Sequence, residues 1–118
     1  MTFNVDVVLR GREAAVTEEA TMATADAAAW TDADVRQVLI EILRAIERAQ
    51  NPKADRERTV ALRGFSWIVE PTAGGVVIAI EIPTGAAVAG PFDIAQPTLN
   101  AMIARVLAAA APARPVVH

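Results

Sequence analysis

The clearest structural pattern in the chain is residues 31–50, TDADVRQVLIEILRAIERAQ. Large apolar side chains recur there at steps of three and four residues, and charged side chains occupy most of the other positions. This spacing predicts an amphipathic helix that buries one face. Thr31 and Asp34 have the spacing of a capping box, with Asp in place of the preferred Glu. Asn51 and Pro52 end the helix, because the residue before a proline avoids helical backbone angles.

Two segments precede this helix. Residues 3–10, FNVDVVLR, alternate apolar and mostly polar side chains, which predicts a strand with one buried face. Residues 12–30 are rich in Ala, Glu and Thr and give no clear periodicity. They are compatible with a second strand through residues 14–17, with a loosely packed helix, or with an extended arm.

A hairpin is predicted after the helix. Residues 59–70, TVALRGFSWIVE, have the composition of a long strand, and their apolar alternation changes phase at Gly64. Such a phase change predicts a β-bulge at the glycine. Residues 71–75, PTAGG, predict a turn, and residues 76–82, VVIAIEI, predict the returning strand.

The remaining elements complete an α+β pattern. Residues 86–89, AAVA, allow a short further strand, and Asp93 is the expected N-cap of a last helix that has Pro97 in its first turn. Two main helices and a largely antiparallel sheet predict a two-layer sandwich with both helices on one face. We expect one domain over residues 1–108 and a flexible C-terminal tail at residues 109–118.

The composition argues against several classes of active site. The chain of 118 residues has no Cys, and its single His is the terminal His118. Disulfides, Cys-based metal sites and thiol nucleophiles are therefore absent, and a lone terminal His forms neither a metal site nor a catalytic triad. We expect no metal and no cofactor, and we favour a protein that is not an enzyme.

Composition also bears on source and location. The chain has 26 Ala residues and ten Arg residues against one Lys, a bias typical of GC-rich bacterial genomes. The N-terminal residues do not combine a basic region with an apolar run, and no apolar run reaches about 18 residues. We expect a bacterial, cytoplasmic protein with no membrane partner.

Charge is unevenly distributed along the chain, whose net charge is −3. Residues 13–34 contain six acids and no base, whereas residues 35–63 contain seven bases and four acids. A basic rim from Arg44 to Arg63 that meets an anionic partner is one interpretation, and mutual neutralisation of the two blocks is the other. We expect no nucleic-acid partner, because a surface for nucleic acid usually dominates the charge balance.

Three residues are candidate ligand contacts. Arg63 is suited to an anionic group, and Trp67 is either a stacking platform or a core residue. Glu81 interrupts an apolar strand, either as an outward guard against aggregation or as a buried carboxylate with a raised pKa. Together they would line a pocket between the sheet and the helices.

Three other residues are candidate interface contacts. Val77, Ala79 and Val88 make the second face of the predicted sheet apolar. In a two-layer fold that face meets water and is normally polar. Apolar residues there predict a cover, which is either residues 14–30 folded back or another subunit.

Two family resemblances concern element order. The helix–hairpin–helix order of residues 31–108 resembles a double-stranded-RNA-binding domain, but Arg105 is the only base of residues 104–111, so the basic helix end that grips phosphates is missing. Residues 90–93, Gly-Pro-Phe-Asp, and the element order resemble small effector subunits of multicomponent monooxygenases. No residue role is carried over from either family.

The leading hypothesis is a non-catalytic protein–protein interaction module, either a homodimer or an accessory or structural subunit of a larger bacterial assembly. The alternative is a small-molecule-binding domain or enzyme with a pocket between sheet and helices. A weaker alternative is nucleic-acid binding through the basic rim.

Overall fold

A five-stranded antiparallel sheet and two helices form an α+β two-layer sandwich, as the sequence predicts. The computed structural model describes residues 1–12, 14–23, 26–53 and 60–110. The strands are β1 (Thr2–Leu9), β2 (Val16–Thr21), β3 (Ser66–Thr72), β4 (Gly75–Ile82) and β5 (Gly85–Phe92). The helices are α1 (Asp32–Gln50) and α2 (Gln96–Ala110), and a single 3-10 turn covers Ala27–Ala29.

The strand order in the sheet is β2-β1-β5-β4-β3. Of the three structures that the sequence allowed for residues 12–30, a strand is observed, but it covers residues 16–21 instead of residues 14–17. This strand, β2, pairs antiparallel with β1. The short strand allowed at residues 86–89 is part of an eight-residue strand, β5, at the centre of the sheet. Because β5 pairs with both β1 and β4, it joins the N-terminal hairpin to the later one.

Both helices pack on one face of the sheet. Along β1 the side chains of Phe3, Val5, Val7 and Leu9 are buried, and the alternate side chains are exposed. Helix α1 packs across β2, β1 and β5, while α2 packs against α1 and β3. The core therefore lies between sheet and helices, and the other face of the sheet meets solvent.

Helix α1 begins and ends where the sequence predicts. The Thr31 backbone N–H donates to Asp34 Oδ2 at 2.9 Å, and the Asp34 N–H donates to Thr31 Oγ1 at 3.3 Å, which completes the capping box. Such a cap contributes about 1 kcal/mol. The apolar side of the helix is fully buried at Val35, Leu39 and Ile42.

An aromatic cluster fixes the centre of the core. Phe92 is fully buried, and its ring centroid lies 5.2 Å from that of Phe3 and 4.9 Å from that of Trp30. Aromatic pairs of this kind contribute about 0.5–1.5 kcal/mol beyond their burial. The 3-10 turn brings Trp30 to this position, and Asp26 caps the turn by accepting from the Ala28 N–H at 3.0 Å.

The predicted strand over residues 59–70 is wrong at its start, because β3 begins only at Ser66. Gly64 has a φ of +78°, a left-handed conformation that interrupts the extended backbone. Leu62 and Phe65 pack against the core from outside the sheet. The predicted bulge at Gly64 is therefore also wrong, and the pairing irregularity of this sheet lies between Val76 and Ile78 of β4.

Helix α2 begins later than the sequence predicts, at Gln96, so Asp93 is not its N-cap. The Gln96 side-chain amide instead donates to the Val69 carbonyl at 2.8 Å, which ties the start of the helix to β3. Pro97 lies in the first turn, as predicted. The helix continues to Ala110, and residues 111–118 of the predicted tail lie outside the described residues.

Candidate functional site

The candidate site is the side of the sheet that faces away from the helices, called the open face below. Strand register places Asp6, Val88, Ala79 and Ile68 in one row across β1, β5, β4 and β3. Three of these four neighbouring side chains are apolar, although an outward sheet face is normally polar.

The next positions along the strands extend this apolar surface. Val8 of β1 lies opposite Ala86 of β5, and Val77 of β4 lies opposite Glu70 of β3. Ile68 is 51% exposed, Val8 48% and Val88 42%, the highest values among the large apolar side chains of the described residues. We call the following set the apolar strip: Val8, Ile68, Val77, Ala79, Ala86 and Val88.

The side chains of the apolar strip differ in size, so its surface is uneven. Ala79 is paired with Val88 on one side and with Ile68 on the other, so a methyl group lies between two larger side chains. Val and Ile are stiff at χ1, so ordering these side chains on contact costs little entropy. The strip therefore presents ridges beside a hollow and is largely prepared for docking.

Charged residues surround the apolar strip, and most of them are acids. The Asp6 carboxylate accepts a hydrogen bond from Thr17 Oγ1 at 2.7 Å. Glu81 and Arg10 line a cleft of about 280 Å³ at one end of the face. We call the following residues the acidic border: Asp6, Arg10, Glu19, Glu70 and Glu81.

Residues 14–30 do not cover the apolar strip within the part of the chain that the structure describes. Strand β2 extends the sheet sideways, and Met22, Ala27 and Trp30 pack into the core. The sequence predicts that either residues 14–30 or another subunit covers this face. Residues 14–23 and 26–30 do not form such a cover.

The structure brings the candidate interface residues together and separates the candidate ligand residues. Val77, Ala79 and Val88 share the open face. Trp67 pairs with Ile80 on the helix side of the sheet and is half-buried against the core, whereas Glu81 is exposed on the open face. Trp67 and Glu81 thus lie on opposite faces and do not line one pocket.

Arg63 lies in a different place, which we call the helix-end groove. This groove has a volume of about 580 Å³ and is formed by the first turns of α1, the last turns of α2 and residues 60–63. Among the described residues, its charged side chains are Asp32, Arg36, Arg63 and Arg105. Sequence reasoning missed Arg36 and Arg105, because only the packing of α1 on α2 brings them beside Arg63.

A bidentate ion pair lies in the helix-end groove. Arg105 Nε donates to Asp32 Oδ2 at 2.9 Å, and a terminal guanidinium nitrogen donates to Asp32 Oδ1 at 3.0 Å. The hydrogen bonds from Arg105 lower the pKa of the Asp32 carboxyl, and the same contacts raise the pKa of Arg105. Both side chains are exposed, so the ion pair fixes geometry more than it stabilises the fold.

The predicted basic rim is divided in the structure. Arg44 and Arg48 line a groove beside β2 that also contains Glu18 and Glu41, and Arg44 pairs with Glu41 at 3.2 Å. Arg63 belongs instead to the helix-end groove. Of the remaining bases of the predicted rim, Lys53 is exposed just after α1, and Arg56 and Arg58 lie outside the described residues.

No metal site, membrane-spanning helix or known relative adds to the description of the described residues. In residues 1–12, 14–23, 26–53 and 60–110, no group of three His, Asp or Glu side chains is placed to hold a metal ion. No helix in these ranges is both long and apolar enough to cross a membrane. Comparison with protein-family models, with curated proteins and with solved structures gives no match.

Proposed function

We propose that this protein is a non-catalytic protein–protein interaction module that associates with a second copy of itself through the open face. The apolar strip is the observation that carries the proposal. Contiguous apolar patches larger than a few hundred Å² are rare on soluble monomers, and exposed apolar patches on this scale usually mark interaction surfaces. Burying Ile68, Val8 and Val88 against a partner removes the three most exposed large apolar side chains of the described residues from water.

The size of the open face supports a dimer. Five strands at the usual spacing, each about seven residues long, give a face of about 24 by 23 Å. Two such faces together bury about 1,100 Å², which is just above the minimum of about 1,000 Å² for a specific interface and below the standard size of about 1,600 Å². The area thus suits a reversible dimer better than an obligate one, whose interfaces are usually larger.

The relief of the apolar strip supports a self-complementary contact. Packed sheets interdigitate their side chains about 10 Å apart. In a two-fold dimer each contact occurs twice, so Val88 or Ile68 of one copy can occupy the hollow at Ala79 of the other.

The acidic border limits how tightly two copies associate. Asp6, Glu19, Glu70 and Glu81 outnumber the single base, Arg10, so two facing copies bring like charges together. A two-fold arrangement that places each Arg10 near an acid of the other copy offsets part of this repulsion. A different partner with a basic border is the competing occupant of the same face.

The proposal is tested by measuring molecular mass over a range of concentrations for two matched variants. Val88→Asp places a charge in the apolar strip, and Val16→Asp places the same charge on a valine of similar exposure at the edge of the sheet, 38% against 42%. We expect the wild-type protein and Val16→Asp to dimerise as concentration rises, and Val88→Asp to stay monomeric. Ile68→Asp is a second variant on a different strand, and circular dichroism checks that each variant folds.

Two results would overturn the proposal. A wild-type protein that stays monomeric at millimolar concentration excludes self-association as its function and leaves the open face to another partner. Dissociation of the dimer by Val16→Asp but not by Val88→Asp assigns the contact to the β2 edge instead of the open face.

A further inference from the structure

We propose that the helix-end groove binds an organic anion, with a phosphate or carboxylate head group and an apolar body. The groove belongs to the helical layer, whereas the open face lies on the other side of the sheet. This site is therefore independent of the dimer proposed above.

The charge of the groove favours an anion. Arg36 comes from α1, Arg63 from the segment before β3 and Arg105 from α2, while Asp32 is the only acid that the described residues contribute to the lining. Arg105 already holds the Asp32 carboxylate in a bidentate pair. Arg36 and Arg63 have no carboxylate partner among the described residues, so the lining keeps a net charge of about +2 at neutral pH.

The planar guanidinium groups of Arg36 and Arg63 determine which head group the groove can bind. A guanidinium is planar and donates in a fork that matches the oxygens of a carboxylate or a phosphate. The first turn of α1 and the last turn of α2 both line the groove, so the positive end of one helix dipole and the negative end of the other oppose each other there. The attraction for an anion therefore comes from the arginines.

The rest of the lining specifies the body of the ligand. Val60, Leu62, Val106, Ala109 and Ala110 supply apolar surface beside the arginines. The volume of about 580 Å³ lies within the range of about 300–1,000 Å³ that is usual for small-molecule sites. A fully hydrophilic anion leaves this apolar surface in water, so the geometry favours an amphiphilic one.

Asp32 is a positioning residue in this arrangement. Its carboxylate oxygens accept two hydrogen bonds from the Arg105 guanidinium, which ties this side chain to the first turn of α1. Arg105 consequently forms a fixed wall of the groove, whereas Arg36 and Arg63 remain available to the ligand.

Isothermal titration calorimetry with defined probes tests the proposal. The probes are octyl phosphate and octanoate, which separate the two head groups, together with inorganic phosphate and octyltrimethylammonium. We expect octyl phosphate to bind and octyltrimethylammonium not to bind, because the groove is cationic. Inorganic phosphate should bind at least about tenfold more weakly than octyl phosphate, since it buries no apolar chain.

Matched variants locate the binding. The double variant Arg36→Ala with Arg63→Ala should weaken octyl phosphate binding at least about tenfold, because two charge-assisted contacts are lost. Arg48→Ala removes an arginine of the same helix outside the groove and should leave the affinity unchanged. Val88→Asp should also leave it unchanged, which excludes the apolar strip as the site of the octyl chain.

Amide chemical shifts of the wild-type protein give a second readout that needs no variant. Saturation with octyl phosphate should move the amides of residues 32–36, 60–63 and 105–110 more than those of the open face. Equal binding of octyltrimethylammonium, an unchanged affinity in the double variant, or shifts confined to the open face would each overturn the proposal. Binding of neither octyl phosphate nor octanoate would overturn it as well.

Discussion

Arg105 of α2 and Asp32 of α1 are 73 residues apart in sequence, yet they form a bidentate ion pair at 2.9 and 3.0 Å. The pair joins the C-terminal half of one helix to the first turn of the other. Asp32 also adds negative charge at the positive end of the α1 dipole. One exposed carboxylate thus connects the two helices and shapes one wall of the helix-end groove.

The ion pair predicts a lowered pKa for Asp32. Its hydrogen bonds from Arg105 favour the charged carboxylate, so its stabilisation is present above the ordinary Asp pKa and is lost as pH falls through the folded-state value. In Arg105→Gln we expect the pKa of Asp32 to rise towards its ordinary value. A carbonyl-detected NMR titration of both proteins checks this, and an identical Asp32 midpoint in the two would contradict it.

Two glycines with positive φ should differ in their tolerance of alanine. A Cβ on Gly75 would overlap the backbone carbonyl oxygen of Phe92, whereas a Cβ on Gly64 would meet open space. The φ values of +134° and +78° make both replacements strained. We expect Gly64→Ala to lower the free energy of unfolding by about 1 kcal/mol and Gly75→Ala by about 3 kcal/mol or more.

Urea denaturation measures both changes. Equal losses for the two alanine variants would mean that the close approach of β4 to Phe92 is not a constraint on Gly75.

Phe92 should be the most sensitive aromatic residue of the core. Its ring is fully buried between Phe3 and Trp30, so Phe92→Ala leaves a cavity that the sheet and α1 cannot easily close. We expect a loss of about 3–5 kcal/mol in the free energy of unfolding. Phe65→Ala, at a half-buried site outside the sheet, should lose clearly less in the same denaturation experiment.

The acidic border predicts an unusual salt dependence of the dimer. Salt screens the repulsion between facing carboxylates, so the dissociation constant of the dimer should fall as ionic strength rises. Glu81→Gln should strengthen the dimer at low salt. Glu18→Gln, on the helix side of β2, should not change it.

Sedimentation equilibrium at several salt concentrations makes this comparison. A dissociation constant that rises with salt would point instead to attraction between opposite charges across the interface.

The fold was predictable where local periodicity is strong. The spacing of apolar residues in α1 and the alternation in β1 follow from local geometry, and both elements match the structure. The length of strand β5 was underestimated because Gly and Ala, which dominate residues 85–90, have low strand propensity. Its small side chains at Ala87 and Ala89 are nonetheless fully buried beneath α1, where tertiary packing overrides propensity.

The open face and the helix-end groove differ in how far sequence could predict them. Val77 and Ala79 alternate with buried residues along one strand, so their shared face is a local property. The groove depends on how α1 packs against α2 and on the left-handed turn at Gly64. No spacing in the sequence places Arg36 beside Arg63 and Arg105.

The most direct test of the open face as the docking surface is the solvent accessibility of its methyl groups in the unmodified protein. A soluble paramagnetic probe broadens methyl NMR signals that it can approach. In a concentrated sample we predict that the methyl groups of Val8, Ile68 and Val88 are protected, while those of Val16 are broadened. On dilution, all four residues should become accessible. Broadening of Val8, Ile68 and Val88 to the same extent as Val16 at every concentration would contradict the account.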